Sequence, residues 1–307
     1  MEEEKKTEKR KFKEQFARFH DKHYKTLILL PLAVLVFSFI FMGVFYSQNH
    51  DFINKDVSLT GGTTVTINQP IDVNSLSKGI SDKLEGVNIR AVSDLFTNKQ
   101  IAVIVETKSD EPTTRTVLEN YLGYKLNDEN SSFEFTGSTL SANFYNQLLM
   151  AILIAFVLMA LVVFIQFKSF IPSLIVISCA FADIFMTLTV VNLLGMQVSS
   201  AGIVAFLMLI GYSVDTDILL TTKVIKRDVG SLNRRLFESF KTGITMTLTS
   251  LFAVLVALIV VGSFSSILSQ IFTIMIIGLI FDIFNTWITN ASIIKWYAIK
   301  RQKKHEA

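Results

Sequence analysis

The sequence predicts a polytopic membrane protein, with six transmembrane α-helices and one small α+β domain inserted between the first and the second. Three observations predict it. Six apolar runs are each long enough to cross a bilayer, which takes about 20 residues. A segment of about 100 residues between the first two runs mixes short alternating strands with amphipathic helices. Lys and Arg gather at one set of span ends, the asymmetry that orients membrane proteins.

Composition agrees. Hydrophobic residues make up 50% of the chain and charged residues 18%, below the roughly 25% charged content of soluble domains. The formal net charge of +3 comes from basic residues segregated to one membrane face, so it points to lipid and not to nucleic acid. Cys179 is the single cysteine, and no internal disulfide can form.

Residues 1–25 are a basic cytoplasmic tail, including Lys5, Lys6, Lys9, Arg10, Lys11 and Lys13. Such a tail is solvated and attracted to anionic membrane lipids. The first span covers 26–46. Its apolar run is too long for a cleaved signal, and no small-residue cleavage site follows Phe45-Tyr46-Ser47.

Residues 47–145 form the outside domain. Thr63 to Ile67 reads as a strand, and Val73 to Leu84 as a helix with Val73, Leu76, Ile80 and Leu84 on one face. Asn88 to Leu95 alternates, Thr97-Asn98 turns the chain, and Ile101 to Val105 reads as a buried strand. Thr113 to Tyr124 is helical and Ser132 to Phe135 a last strand. The order β-α-β-β-α-β is the ferredoxin-like pattern. Gly61-Gly62 reads as a backbone turn into the first strand, in preference to a phosphate loop. Asn130-Ser131-Ser132 is a sequon for N-glycosylation. The domain has no cysteine, no histidine beyond His50, and no Gly-rich loop feeding a helix. Enzymatic chemistry, a cofactor and a metal are therefore not expected.

Helices two to six occupy 146–294, with spans at about 146–167, 171–191, 201–222, 243–262 and 271–294. Lys168 lies between spans two and three, and Lys223, Lys226, Arg227, Arg234, Arg235 and Lys241 between four and five. The loops 192–200 and 263–270 contain neither Lys nor Arg. Both termini are therefore expected in the cytoplasm, and the chain in the cell membrane. Residues 295–307 are a second basic tail, with Trp296 and Tyr297 at the interface.

Four carboxylates fall inside spans: Asp183, Asp215, Asp217 and Asp282. A charge at the centre of an isolated helix costs about 2.5 kcal/mol or more, so such residues face a bundle interior or an aqueous path and suggest proton or ion handling. Asn285, Thr286 and Thr289 share a helical face with Asp282. Span five carries Thr242, Thr245 and Thr249, a stripe that can equally hold helices together. Asp215 and Asp217 point about 200° apart, so one faces the interior and the other a neighbouring helix or subunit. Gly211 and Tyr212 precede them, and Gly211 is expected to permit close approach on the Asp215 face. Asp215 is the leading proton-relay candidate, with Asp217, Asp282 and Asp183 behind it.

These residues resemble the SecF family, a subunit of the SecD–SecF accessory complex of the Sec translocase within the resistance-nodulation-division superfamily. The resemblance rests on Asp56-Val57-Ser58-Leu59-Thr60-Gly61-Gly62-Thr63, on Gly137 to Ser141, and on Gly211 to Thr222. Thr242 to Thr247, which includes Gly243, and Phe281 to Trp287 extend it, with an archaeal character. It implies a SecD partner, a place beside the Sec translocon, and use of the proton gradient to help a translocating polypeptide leave on the outer side. Bacterial relatives carry Asn-Asp-Thr where this chain has Asp215-Thr216-Asp217, and an arginine early in span five. Here the nearest basic residue is Lys241, the candidate counter-ion. Three other readings compete: a small-molecule exporter subunit of the same superfamily, a purely structural translocon component, and an intramembrane aspartyl protease. The protease would carry Tyr-Asp and Gly-x-Gly-Asp motifs, and this chain has neither.

Overall fold

Apolar residues recurring without a polar face make helices that must sit in lipid, and alternating β-branched residues make strands that must pair. The computed structural model, which describes residues 26–94, 97, 99–226, 230–262 and 265–306, contains both kinds of element in the expected order. Thr97 of the expected turn is described and donates through its amide to Asp94 Oδ1 at 2.8 Å, whereas Asn98 and the N-terminal tail 1–25 lie outside the described residues.

Helix α1 spans Leu29–Asn49 and is followed by a single helical turn, α2 (Val57–Thr60). Asp56 caps that turn, accepting a hydrogen bond from the Ser58 amide at 2.8 Å. Strand β1 (Gly62–Ile67), α3 (Val73–Ile80), β2 (Asn88–Ser93), β3 (Gln100–Thr107), α4 (Glu111–Leu122) and β4 (Ser131–Thr136) complete a small sheet domain. All pairings are antiparallel, and the sheet order is β2-β3-β1-β4. Val65 lies opposite Val105 and Phe133. This places Val65, Ile67, Val103 and Val105 on one face, where Leu76 and Ile80 of α3 and Leu118 of α4 cover them. The other face carries Thr64, Thr66, Arg90 and Glu106, because strand side chains alternate.

Gly61 and Gly62 form the turn into β1, with φ of +81° and +141°. A Cβ at Gly62 would sit 2.2 Å from the Thr107 carbonyl oxygen, so the turn needs glycine for both conformation and space.

Helix α5 (Ser138–Phe167) leaves the sheet directly after β4. Lys168, with φ of 51°, reverses the chain into α6 (Phe170–Leu193). Then follow α7 (Ser200–Ile225), α8 (Leu232–Val261) and α9 (Ser266–Phe284). A six-residue π-helical stretch, Asn285–Asn290, joins α9 to α10 (Ala291–Glu306). Among the described residues, six helical stretches are long and apolar enough to cross a membrane, the last running Ser266–Lys303. Helices α6 and α7 are the most enclosed and pack against α9, while α1, α5 and α8 lie at the periphery.

The sheet domain is tied to the helix bundle through main-chain groups. The Val198 amide donates to the Asn54 carbonyl at 2.6 Å, and the Asp56 amide to the Val198 carbonyl at 3.1 Å. The Asn192 amide side chain donates to the Phe52 carbonyl at 2.8 Å, and the Ser200 amide to Ser58 Oγ at 2.9 Å. These bonds hold the start of α7 against the base of the sheet domain. Asn130 stabilises its own turn, donating to the Lys125 carbonyl at 3.0 Å.

Candidate functional site

Helical periodicity decides which polar side chains meet. On α7, Ser213, Thr216 and Asp217 fall at i, i+3 and i+4, one face of a helix, and all three are buried. On α6 that face is met by Asp183, and on the last span by Asp282, Asn285, Thr286 and Asn290. Asp183 and Asp217 are 0% exposed and Asp282 1%. Three carboxyl groups therefore share one interior, at the level where α6, α7 and the end of α9 converge.

Each carboxyl is held by neutral donors. Asp183 accepts from Ser213 Oγ at 2.5 Å and from Asn285 Nδ2 at 2.6 Å. Asp217 Oδ1 accepts from Asn290 Nδ2 at 2.6 Å. Asp282 lies 3.2 Å from Thr216 Oγ1 and 3.4 Å from Thr247 Oγ1. Thr286 connects two of the acids: its Oγ1 lies 2.9 Å from Asp217 Oδ1 and 3.2 Å from Asp282 Oδ1. A hydroxyl has one proton, so it can donate to one of these oxygens and must accept from the other. Both contacts are hydrogen bonds together only when one of the two acids is protonated. Asp217 Oδ2 is buried with no hydrogen-bond partner.

The π-helical stretch contributes to this geometry. It supplies Asn285, Thr286 and Asn290, each within 1% of full burial, and wide turns of this kind are frequent at functional sites. Gly243 of α8 lets the helices close around it: a Cβ there would lie 2.4 Å from Trp287 Cζ2 and 3.1 Å from Thr216 Cγ2.

Residues 116–300 match the family model described as Protein export membrane protein SecD/SecF, C-terminal. The protein-export membrane protein SecF of Methanocaldococcus jannaschii is 37% identical over 290 residues, covering 92% of this chain and 99% of that protein. The chain belongs to the SecF family. SecF of Methanolacinia petrolearia is 34% identical, covering 91% of this chain and 95% of that one. Among solved structures, SecDF of Thermus thermophilus, a translocon-associated membrane protein, superposes with a TM-score of 0.69 over 90% of this chain at 17% identity. This SecF-family chain spans 38% of that longer chain, and the likeness is one of fold.

The sequence candidates divide by position. Asp217, Asp282 and Asp183 come together, and Asp183 is as central as the others. Asp215 does not join them: it is exposed on the opposite side of α7, as the 200° separation requires. Gly211 and Tyr212 share that outer side, Tyr212 being 44% exposed. The close approach expected at Gly211 is not made within this chain, because a Cβ there would meet nothing within 4 Å. A cavity of about 120 Å³ between α7 and α8, lined by Asp215, Thr247 and Asp282, links the outer side to the cluster. Lys241 is exposed, away from the buried acids.

Sequence reading missed Lys295 and Arg235. Lys295 is 1% exposed, whereas its neighbour Trp296 is 42% exposed. Both cations were grouped with the membrane-surface charges. The signal that separates Lys295 is the polar series Asp282, Thr286, Asn290, which runs down one side of the same span toward it.

Proposed function

We propose that this SecF-family chain works with a SecD-like subunit beside the Sec translocon, using the proton gradient to promote release of a translocating polypeptide on the outer face of the membrane. The observation that carries this reading is the Thr286 hydroxyl bridging Asp217 and Asp282, two acids buried among membrane helices. A proton can pass between them by reversal of the Thr286 donor and acceptor roles. The cavity reaching Asp215 supplies an entry from the outer side of α7.

The geometry also supports a partner. An exposed carboxyl in a membrane helix is costly in lipid, and Asp215 lies on such a face beside Val204, Met208 and Gly211. A second six-helix half would cover that face. In this reading the outside domain is ferredoxin-like, supported by its antiparallel β2-β3-β1-β4 order. The chain divides into the basic tail 1–25, span 26–46, domain 47–145, helices 146–294 and tail 295–307. Both tails lie in the cytoplasm against anionic membrane lipids.

The test is export in inverted vesicles with and without a proton gradient. Asp217→Asn and Asp282→Asn are expected to insert and assemble normally and to lose the gradient-dependent part of export. Normal gradient-dependent export by both variants would leave the acids as helix-holding groups.

A further inference from the structure

A second cavity, of about 430 Å³, lies apart from the carboxylate cluster, between the sheet domain and the outer ends of the helices. Its roof is the face of β2 and β3 that α3 and α4 leave uncovered, with Asn88, Arg90 and Val92. Its floor is Gln197, before α7, together with Ser269 and Gln270 in the first turns of α9.

Two features define what would fit. First, β2 is a sheet edge, hydrogen-bonded to β3 on one side only. It offers six residues, about 20 Å of strand, with no Pro or Lys to discourage pairing. Second, the walls are rich in uncharged donors and acceptors, and the one cation among the six named residues, Arg90, is answered by Glu106. A phosphate or other anion would need unbalanced positive charge. Peptide groups need only hydrogen bonds and tolerate any side-chain sequence.

We infer that this cleft seats an extended stretch of polypeptide, added as a strand along the free edge of β2 over the floor formed by Gln197 and Ser269. Main-chain hydrogen bonds supply the affinity in strand addition, so recognition is largely independent of sequence. Alternate side chains of the guest point down to the cleft and out to solvent. The inference rests on the export reading above, and it names where the exported chain is held.

The experiment uses membrane vesicles containing the full chain with its native partners, and an exported polypeptide stalled by a folded domain at its end. A photo-crosslinking residue is placed at Val92, at Ser269, or at Tyr121 on the far, helical side of the domain. Val92 and Ser269 are expected to capture the stalled polypeptide, and Tyr121 is not. Ser269→Trp, which fills the cleft from its floor, should reduce capture from Val92 on the order of tenfold and slow export, with partner recovery unchanged. Ile267→Trp, which places the same side chain at an exposed position on the same helix, should behave as the parent. Capture of only the partner subunit from Val92, or parental export by Ser269→Trp, would overturn the assignment and make the cleft a subunit contact. Export that responds to the gradient in the parent, with Val92 silent toward the polypeptide, removes the cleft alone. Export indifferent to the presence of the chain removes the wider reading.

Discussion

Thr286 is the residue on which the interior chemistry turns. Its hydroxyl is the shared group between Asp217 and Asp282, and its methyl can be kept while the hydroxyl is removed. Thr286→Val is expected to bring export down to the rate seen without a gradient, and Thr286→Ser to restore gradient dependence. Export in vesicles with and without an uncoupler checks this. Two glycines separate packing inside the chain from packing against a partner. Gly243→Ala forces a Cβ against Trp287 and Thr216, an overpacking that costs about 1–3 kcal/mol; it should lower the melting temperature in detergent. Gly211→Ala has open space around it and should leave the chain's own stability intact while weakening recovery of the partner.

At the scale of elements, β2 and β3 carry a buried acid on the face opposite their core. Burial pushes the Glu106 carboxyl up from its ordinary value of 4.5, and the charge of Asp56 adds to the push, while Arg90 and Asn88 oppose it. An acid that holds its proton more tightly when folded contributes stability that is complete below the unfolded value and is lost as the pH rises through the folded one. Protection of the Val103 and Val105 amides, taken relative to the intrinsic exchange rate at each pH, is therefore expected to fall through this group as the pH rises above 4.5. Glu106→Gln should flatten that slope. The same sheet was readable in outline from its alternation: each predicted strand and helix of the domain appears in order, with ends displaced by one to a few residues. The α2 turn was not readable, because Asp56 and Ser58 make a cap only when Gly61-Gly62 turns the chain beneath Ser138.

For the whole molecule, the uneven enclosure of the helices sets the expectation. Helices α6 and α7 are buried within the chain, yet α7 still shows Asp215 and Tyr212 on an open face. Purification in mild detergent is expected to recover a second six-helix subunit in stoichiometric amount. Asp215→Leu makes the open face compatible with lipid, and it should lower that recovery without loss of the chain itself. Isolation of the parent solely as a monomer or homodimer would contradict a two-half assembly.

Local sequence by itself determined the spans and the order of strands and helices along the sheet domain, and it set an expectation for orientation. Each follows from short-range patterns: runs of apolar residues, clusters of Lys and Arg, and a period of two or 3.6. It also determined that Asp215 and Asp217 could not share a partner, since helix geometry separates them. Only the tertiary structure decided which of the two turns inward. That choice depends on how α7 is rotated against α6 and α9, a property of packing between residues more than 60 positions apart in sequence, such as Asp217 with Thr286 and Asn290. The same long-range packing brought Asp183 into the cluster, enclosed Lys295 and left Lys241 outside, because burial of a polar side chain is settled by what the other helices place around it.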